Sequence, residues 1–466
     1  MPMSVRLLLD PGHAPAERCA QKADLPPTLQ SVPLKPGDLI LPSPVNAHDH
    51  GYGIRTLDFS APDDALEVWI PGLRLRPRTD PYLEALVAFG RLAKTGIGAT
   101  MHCHNSLNAD HLVDEAGAVM RAAGDVGIRL ALSCPLLDHD AWAYDGGPQR
   151  LQPFLSEDDW HALSGTIPNY ASVETQLAAV EAVAAANTSP LVDVQYGPIG
   201  PQWCSNALLE AIAEASALHG RRIHMHLLES PRQRIWLDRR FPDGIVPYLD
   251  RIGFLSPRLA IAHGVQLRPD ELELLAERGV QLVSNPSANL RLRSGIAPIA
   301  STIEHGGLAF AIGLDGTGLD DDQDLWREMR LLYLLQGECG LTRELTAGRL
   351  FDAAIKVGRR VINATDAADF TIVDYQALIS DALFDDVDEA EILLNRMSAR
   401  YATRLVVAGR EIMRNGELSR VDFDAARAEL VSQARADLPR LERQRPLVHA
   451  LSAATRAYYA SWPGVS

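Results

Sequence analysis

The stretch Leu39-Ile40-Leu41-Pro42-Ser43-Pro44-Val45-Asn46-Ala47-His48-Asp49-His50 decides how the chain is read. An apolar run reaches Val45, and two histidines one residue apart follow almost at once. On an extended strand the side chains at i and i+2 share a face, so His48 and His50 are expected to point into one space where the strand ends. An isolated His-x-His among 14 histidines carries little by itself. Its meaning depends on what lies downstream.

Seven more apolar runs follow residues 39–45, at 98–104, 127–133, 191–196, 222–228, 259–263, 280–284 and 308–314. Segments of helical period separate them: Leu177, Val180 and Val183 share one face, and Leu208, Leu209, Ile212 and Ala215 another. Repeated strand–helix units imply an α/β protein with a parallel sheet. Eight such units imply a (β/α)8 TIM barrel, which takes ~250 residues and grows by insertion; it is placed over 44–356. Short β-like runs at 5–9, 369–373 and 404–407 predict a small β-sandwich formed by both termini, residues 1–43 and 357–420. The remainder, 421–466, carries Phe423, Ala426, Leu430 and Ala434 on one stripe and reads as a C-terminal helical extension over the sandwich or a subunit interface.

Composition narrows the function classes. Of 466 residues 47% are apolar and 22% charged, the balance of a globular protein with ample core. No run approaches the ~18 apolar residues of a membrane span and no leader pattern opens the chain, so a cytoplasmic protein without membrane partners is expected. The net charge of −16 disfavours nucleic acid. Cys19, Cys103, Cys134, Cys204 and Cys339 form no CxxC pair and read as reduced thiols.

Further candidate ligands stand at strand ends. His226 closes the fifth run in His224-Met225-His226-Leu227-Leu228-Glu229, His263 closes the sixth, and Asp315 follows the eighth in Gly313-Leu314-Asp315-Gly316. The C-terminal ends of barrel strands meet at one mouth, where barrel active sites are built. Imidazoles with a carboxylate suit Zn²⁺, or Fe²⁺ in a more open geometry. His224 shares a face with His226 and remains an alternative ligand. His102 and His104 form a second His-x-His, with His104 a pocket candidate. Trp69, Gln195 and Trp203 lie at or just after strand ends and are candidates for binding a flat substrate.

These residues resemble the amidohydrolase superfamily, and within it the deaminases that hold one metal. The resemblance rests on Pro44 to His50, on His226 followed by Glu229, on Ala262-His263, on Asn285-Pro286-Ser287-Ala288-Asn289 with Ser294-Gly295-Ile296-Ala297-Pro298, and on Leu314-Asp315-Gly316 with Glu328-Met329. The run Leu66-Glu67-Val68-Trp69-Ile70 is similar to a segment of adenosyl-homocysteine, guanine and s-triazine aminohydrolases. The resemblance implies one divalent metal, zinc ahead of iron, held by His48, His50, His226 and Asp315. It also implies that Glu229 exchanges protons with the substrate ring and that His263 orients the attacking hydroxide. Asp315, within reach of metal and water, would take the water's proton. Two-metal relatives bridge their ions with a carbamylated lysine on the fourth strand, but no lysine occurs between Lys94 and Lys356, so one metal is expected.

The expected activity is hydrolytic replacement of an exocyclic amino group on a small N-heterocycle of purine, pyrimidine, pterin or s-triazine type, with release of ammonia. Hydrolysis of a urea, guanidine or cyclic amide is the alternative within the enzyme class, and a catalytically silent barrel acting as a binding protein the alternative outside it. A homodimer or larger homo-oligomer is expected from base rates and the resemblance. Where many relatives carry Ser-Asn-Asn, this chain has Thr317-Gly318-Leu319-Asp320-Asp321-Asp322, a departure that detaches the substrate from any one relative; the acids, with Asp324, are expected to open a helix.

Overall fold

A computed structural model of the chain describes residues 4–106, 111–139, 142–316, 323–337, 341, 343–384 and 386–462. Eight strands, Val45–Asn46, Ala99–Cys103, Arg129–Leu136, Val192–Pro198, Ile223–Leu227, Leu259–His263, Gln281–Ser284 and Ala309–Ile312, pair in sequence order. Every one of these pairings is parallel. The sheet closes on itself: the Ala47 N–H donates to the Ile312 carbonyl at 3.0 Å, and the Asp315 N–H to the His48 carbonyl at 2.9 Å. This is the (β/α)8 barrel expected from the alternation of runs.

The run 39–45 is not one strand. Leu39–Pro42 belongs to a second sheet, pairing with Val5–Leu7 and Phe370–Val373, and only Val45–Asn46 enters the barrel. Two prolines explain the break, because neither Pro42 nor Pro44 has an N–H to give a ladder, so the chain changes sheets between them. The second sheet has seven strands drawn from both ends of the chain: Glu17–Cys19, Val5–Leu7, Leu39–Pro42, Phe370–Val373, Ala402–Val407, Arg410–Arg414 and Glu417–Leu418 as spatial neighbours.

Polar caps start several barrel helices. Ser172 caps Val173–Ala186 by accepting from the Thr175 N–H, and Ser205 caps Asn206–His219 in the same way, satisfying donors that the helix leaves open. The helical stretch from Ala347 to Val361 packs on the first and eighth barrel strands. The C-terminal helices Phe423–Ala436 and Leu438–Ala460 do not lie over the terminal sheet as a whole. Phe423 and Leu430 pack with Val87 of the barrel helix Pro81–Lys94, and the longer helix packs on the segments 66–75 and 147–154 beside the barrel mouth. No helix among the described residues is long and apolar enough to cross a membrane. Cys19, Cys103, Cys134 and Cys204 are buried free thiols; Cys339 lies outside the described residues.

Candidate metal centre

The barrel strands deliver His48, His50, His226, His263 and Asp315 to one place. Asp315 Oδ1 lies 3.1 Å from His48 Nε2 and 3.3 Å from His50 Nε2, and His226 Nε2 lies 3.2 Å from His50 Nε2. His263 and Asp315 each turn out of their strands through a left-handed backbone conformation, φ 72° and 60°. That conformation costs roughly 1–3 kcal/mol for a non-glycine residue and collects at functional sites. Gly313 permits the close approach of the last strand to the first, since a Cβ there would stand 2.3 Å from Asn285 Oδ1 and 2.7 Å from His48 Cβ.

Each imidazole is held from behind. The His226 Nδ1–H donates to the Ile199 carbonyl at 2.7 Å, and the His263 Nδ1–H to Asn289 Oδ1 at 2.8 Å. His48 Nδ1 lies 2.8 Å from His224 Nε2, and His50 Nδ1 lies 3.0 Å from the Asn105 amide. With one ring nitrogen engaged, the other is left to face the centre, which is how metal-binding histidines are oriented. Asp49, between the two histidines, turns away and accepts from the Gly51 N–H at 2.6 Å and from the Asn46 amide. Asn46 in turn accepts from the Leu314 N–H at 2.9 Å, tying strand one to strand eight.

Charge and burial define what the cluster can take. Burial drives His48 and His226 well below the ordinary histidine value, so their rings are neutral with lone pairs available. Burial alone would raise Asp315, but His48 and His50 beside it outweigh that and hold it well below the carboxylate range. His48 Nε2 and Asp315 Oδ1 are buried without a hydrogen-bond partner. Acceptor atoms this close and this dry call for a cation between them. Two triads sharing His48, namely His48, His50, His226 and His48, His263, Asp315, bring their donor atoms within 4.8 Å of one another. The donor set fits a divalent ion of the zinc or iron type.

Against this geometry, residues 39–393 match the family model described as "Amidohydrolase family". The chain belongs to the amidohydrolase family. Among its relatives, the 8-oxoguanine deaminase of Pseudomonas aeruginosa is 28% identical over 358 residues, 73% of this chain and 72% of that one. The 5'-deoxyadenosine deaminase of Methanosarcina mazei is 35% identical over 144 residues, 31% of this chain; the match spans about a third (33%) of that relative's length. An adenosine deaminase from Xanthomonas campestris, solved with bound zinc, superimposes with a TM-score of 0.71 at 22% identity, covering 95% of this chain and 98% of that one.

In this amidohydrolase the mouth opens into a cavity of about 740 Å³, lined by His50, His226, Glu229, His263 and Asp315 at its polar end. Glu229 is buried; burial first, then the charges of Asp315 and Glu67, push its carboxyl well above the ordinary value. Its Oε2 lies 3.8 Å from His263 Nε2, and its Oε1 has no partner. The turn that carries it is anchored: the Glu229 N–H donates to Gln233 Oε1 at 2.8 Å, and Glu67 receives both the Ser230 hydroxyl and, at 3.2 Å, the Tyr144 hydroxyl.

Of the weaker pocket candidates, Trp69, His104 and Trp203 line the cavity, with His104 Nε2 2.9 Å from Glu115 Oε2. Gln195 does not. The fourth strand runs on to Pro198, which leaves Gln195 below the rim, where its amide donates to Asp193 at 2.9 Å and to the Val361 carbonyl at 3.0 Å. His224 stands behind His48 and away from the cluster, and His102 lies 3.4 Å from His104 Nδ1 and packs edge-on against Phe89. Asn105 and Tyr52, which the sequence reading missed, join the wall: the Asn105 amide donates to the Tyr52 hydroxyl at 2.9 Å. Asn105 follows His104 directly, so carrying the strand-end rule one residue further finds it; Tyr52 gives no such signal. The run 317–322 lies outside the described residues, while Asp324 does cap the helix Leu325–Leu335.

Proposed function

We propose that this amidohydrolase is a metal-dependent deaminase that hydrolyses the exocyclic C–N bond of a small N-heterocycle and releases ammonia. One observation carries the reading: the buried Glu229 carboxyl, its pKa pushed up by burial, faces the same cavity end as the cluster of unpartnered His and Asp donor atoms. A proton donor beside the ligands suits protonation of a ring nitrogen, which favours a heterocycle over an acyclic urea or amide. The relatives named as deaminases of 8-oxoguanine and 5'-deoxyadenosine support the reading.

His48, His50, His226 and Asp315 would hold the ion, and zinc suits this set of three imidazoles and one carboxylate. A divalent ion there lowers the pKa of a water toward ~7 and so supplies a nucleophile at neutral pH. Glu229 delivers its proton to a ring nitrogen, which makes the neighbouring carbon more electrophilic. His263, fixed by Asn289, orients the nucleophile. Asp315, ionised and in reach of the same point, would accept one proton of the attacking water and pass it to the departing amine, while the proton left on the new oxygen returns to Glu229 as the C–N bond breaks and the C=O forms.

The test is metal analysis of the purified protein combined with an ammonia-release screen over amino-purines, pyrimidines, pterins, amino-s-triazines and ureas. About one zinc per chain and ammonia from a ring substrate is the expected result. Turnover of ureas alone, or a protein that binds no divalent metal, overturns it.

A further inference from the structure

The cavity is much larger than the ring the reaction needs. A heterocycle of about ten heavy atoms, each given the ~30 Å³ share of a liquid water molecule, fills at most ~300 Å³. The cavity holds about 740 Å³. More than half of it therefore lies beyond the reacting end.

The composition of that remainder is one-sided. Leu73, Leu112, Leu137, Pro168, Ala179 and Trp203 form its wall; of its polar members, Asn105, Ser106, Asn169, Thr175 and Gln176 are uncharged, and the His104 imidazole is already engaged by Glu115 at 2.9 Å. No lysine or arginine lines the cavity among the described residues, and its carboxyl groups, Glu229 and Asp315, belong to the reacting end. A substrate carboxylate or phosphate would lose its water here without gaining a cation in exchange, a penalty that selects against charged substituents. The net charge of −16 acts in the same direction at long range. Trp69 and Trp203 also line the cavity, adding broad apolar ring surface to it.

We infer that the physiological substrate is an N-heterocycle bearing an uncharged, mainly apolar substituent, which the wall formed by Leu73, Leu112, Leu137 and Ala179 receives. The inference rests on the deaminase reading for its reacting end and names the class of substrate that reading leaves open. Bare bases fill too little of the space, and among the described residues no lysine or arginine lines the wall that a carboxylate or phosphate arm would meet.

A matched series on an aminopurine and an amino-s-triazine scaffold tests it: no substituent, a short alkyl or alkyl-ether arm, and carboxylate- and phosphate-ended arms of equal length. Ammonia release gives kcat/KM on the metal-loaded enzyme, and calorimetry gives Kd on metal-loaded E229Q. Each buried methylene is about fourfold in an equilibrium constant, so the apolar arm should exceed both the bare ring and the charged arms by about tenfold or more. Ala179→Arg, a substitution that a helix tolerates, should narrow or reverse the preference against the carboxylate arm. Equal or better handling of the bare ring or of charged arms overturns the inference. If the apolar arms bind tightest but the wild type releases no ammonia from any member, the deaminase reading fails and the substituent preference stands. Ammonia released without arm preference is the converse.

Discussion

His224 Nε2 stands 2.8 Å from His48 Nδ1, with the two rings stacked at 17°. The first histidine of the fifth strand is thereby an outer partner of a candidate ligand. Its contribution is to fix which His48 nitrogen carries the proton and so keep Nε2 free. Outer partners of this kind are worth about 10–100-fold in metal affinity. His224→Ala should weaken zinc binding by that factor in a chelator competition, with His224→Gln recovering part of it. Unchanged affinity in His224→Ala would place no role on this contact.

Glu229→Gln removes the transferable proton and keeps the side chain's size. Turnover should fall by about 10²–10⁴, the range for a lost general acid, while the metal content of the purified variant stays at the wild-type level. Retained activity removes Glu229 from the proton path.

The pH dependence follows from the same carboxyl. Glu229 must be protonated to act, so kcat/KM should decline as pH rises through its raised folded-state pKa. Glu67 contributes to that rise through its charge. Glu67→Gln takes a negative charge away, which makes ionisation of Glu229 easier and should move the alkaline limb to lower pH. Its amide oxygen can still accept from Ser230 and Tyr144, so the turn is kept. A limb that does not move, or moves to higher pH, contradicts the assignment.

Gly313 has no room for a side chain between Asn285 and His48. Gly313→Ala should push the last strand from the first at the level of the centre, costing at least ~1–3 kcal/mol of stability by overpacking. A lower Tm together with reduced zinc content is the expected pair of results; a variant with normal Tm and metal content would show that the strands can part freely.

The sequence was most legible where function sits on local rules. His48, His50, His226, His263 and Asp315 are readable because a barrel places strand ends at one mouth, so that position along the chain translates into position in space. Glu229, three residues beyond His226, was expected from the family resemblance. The break in the run 39–45 was harder, because Leu39–Pro42 finds its partners at residues 5–7 and 370–373, a pairing that local pattern does not encode. Gln195 was misplaced because the fourth strand outruns its apolar core by two residues. The support of His48 by His224, and the uncharged cavity wall gathered from helices and loops far apart in the chain, are products of tertiary packing alone.

Metal removal tests the central claim most directly. Chelated, metal-free protein should release no ammonia from a ring substrate, and titration with Zn²⁺ should restore activity to a plateau at one equivalent per chain, in keeping with a single site at His48, His50, His226 and Asp315. Full activity in the metal-free protein, or a plateau reached only at two equivalents, would contradict it.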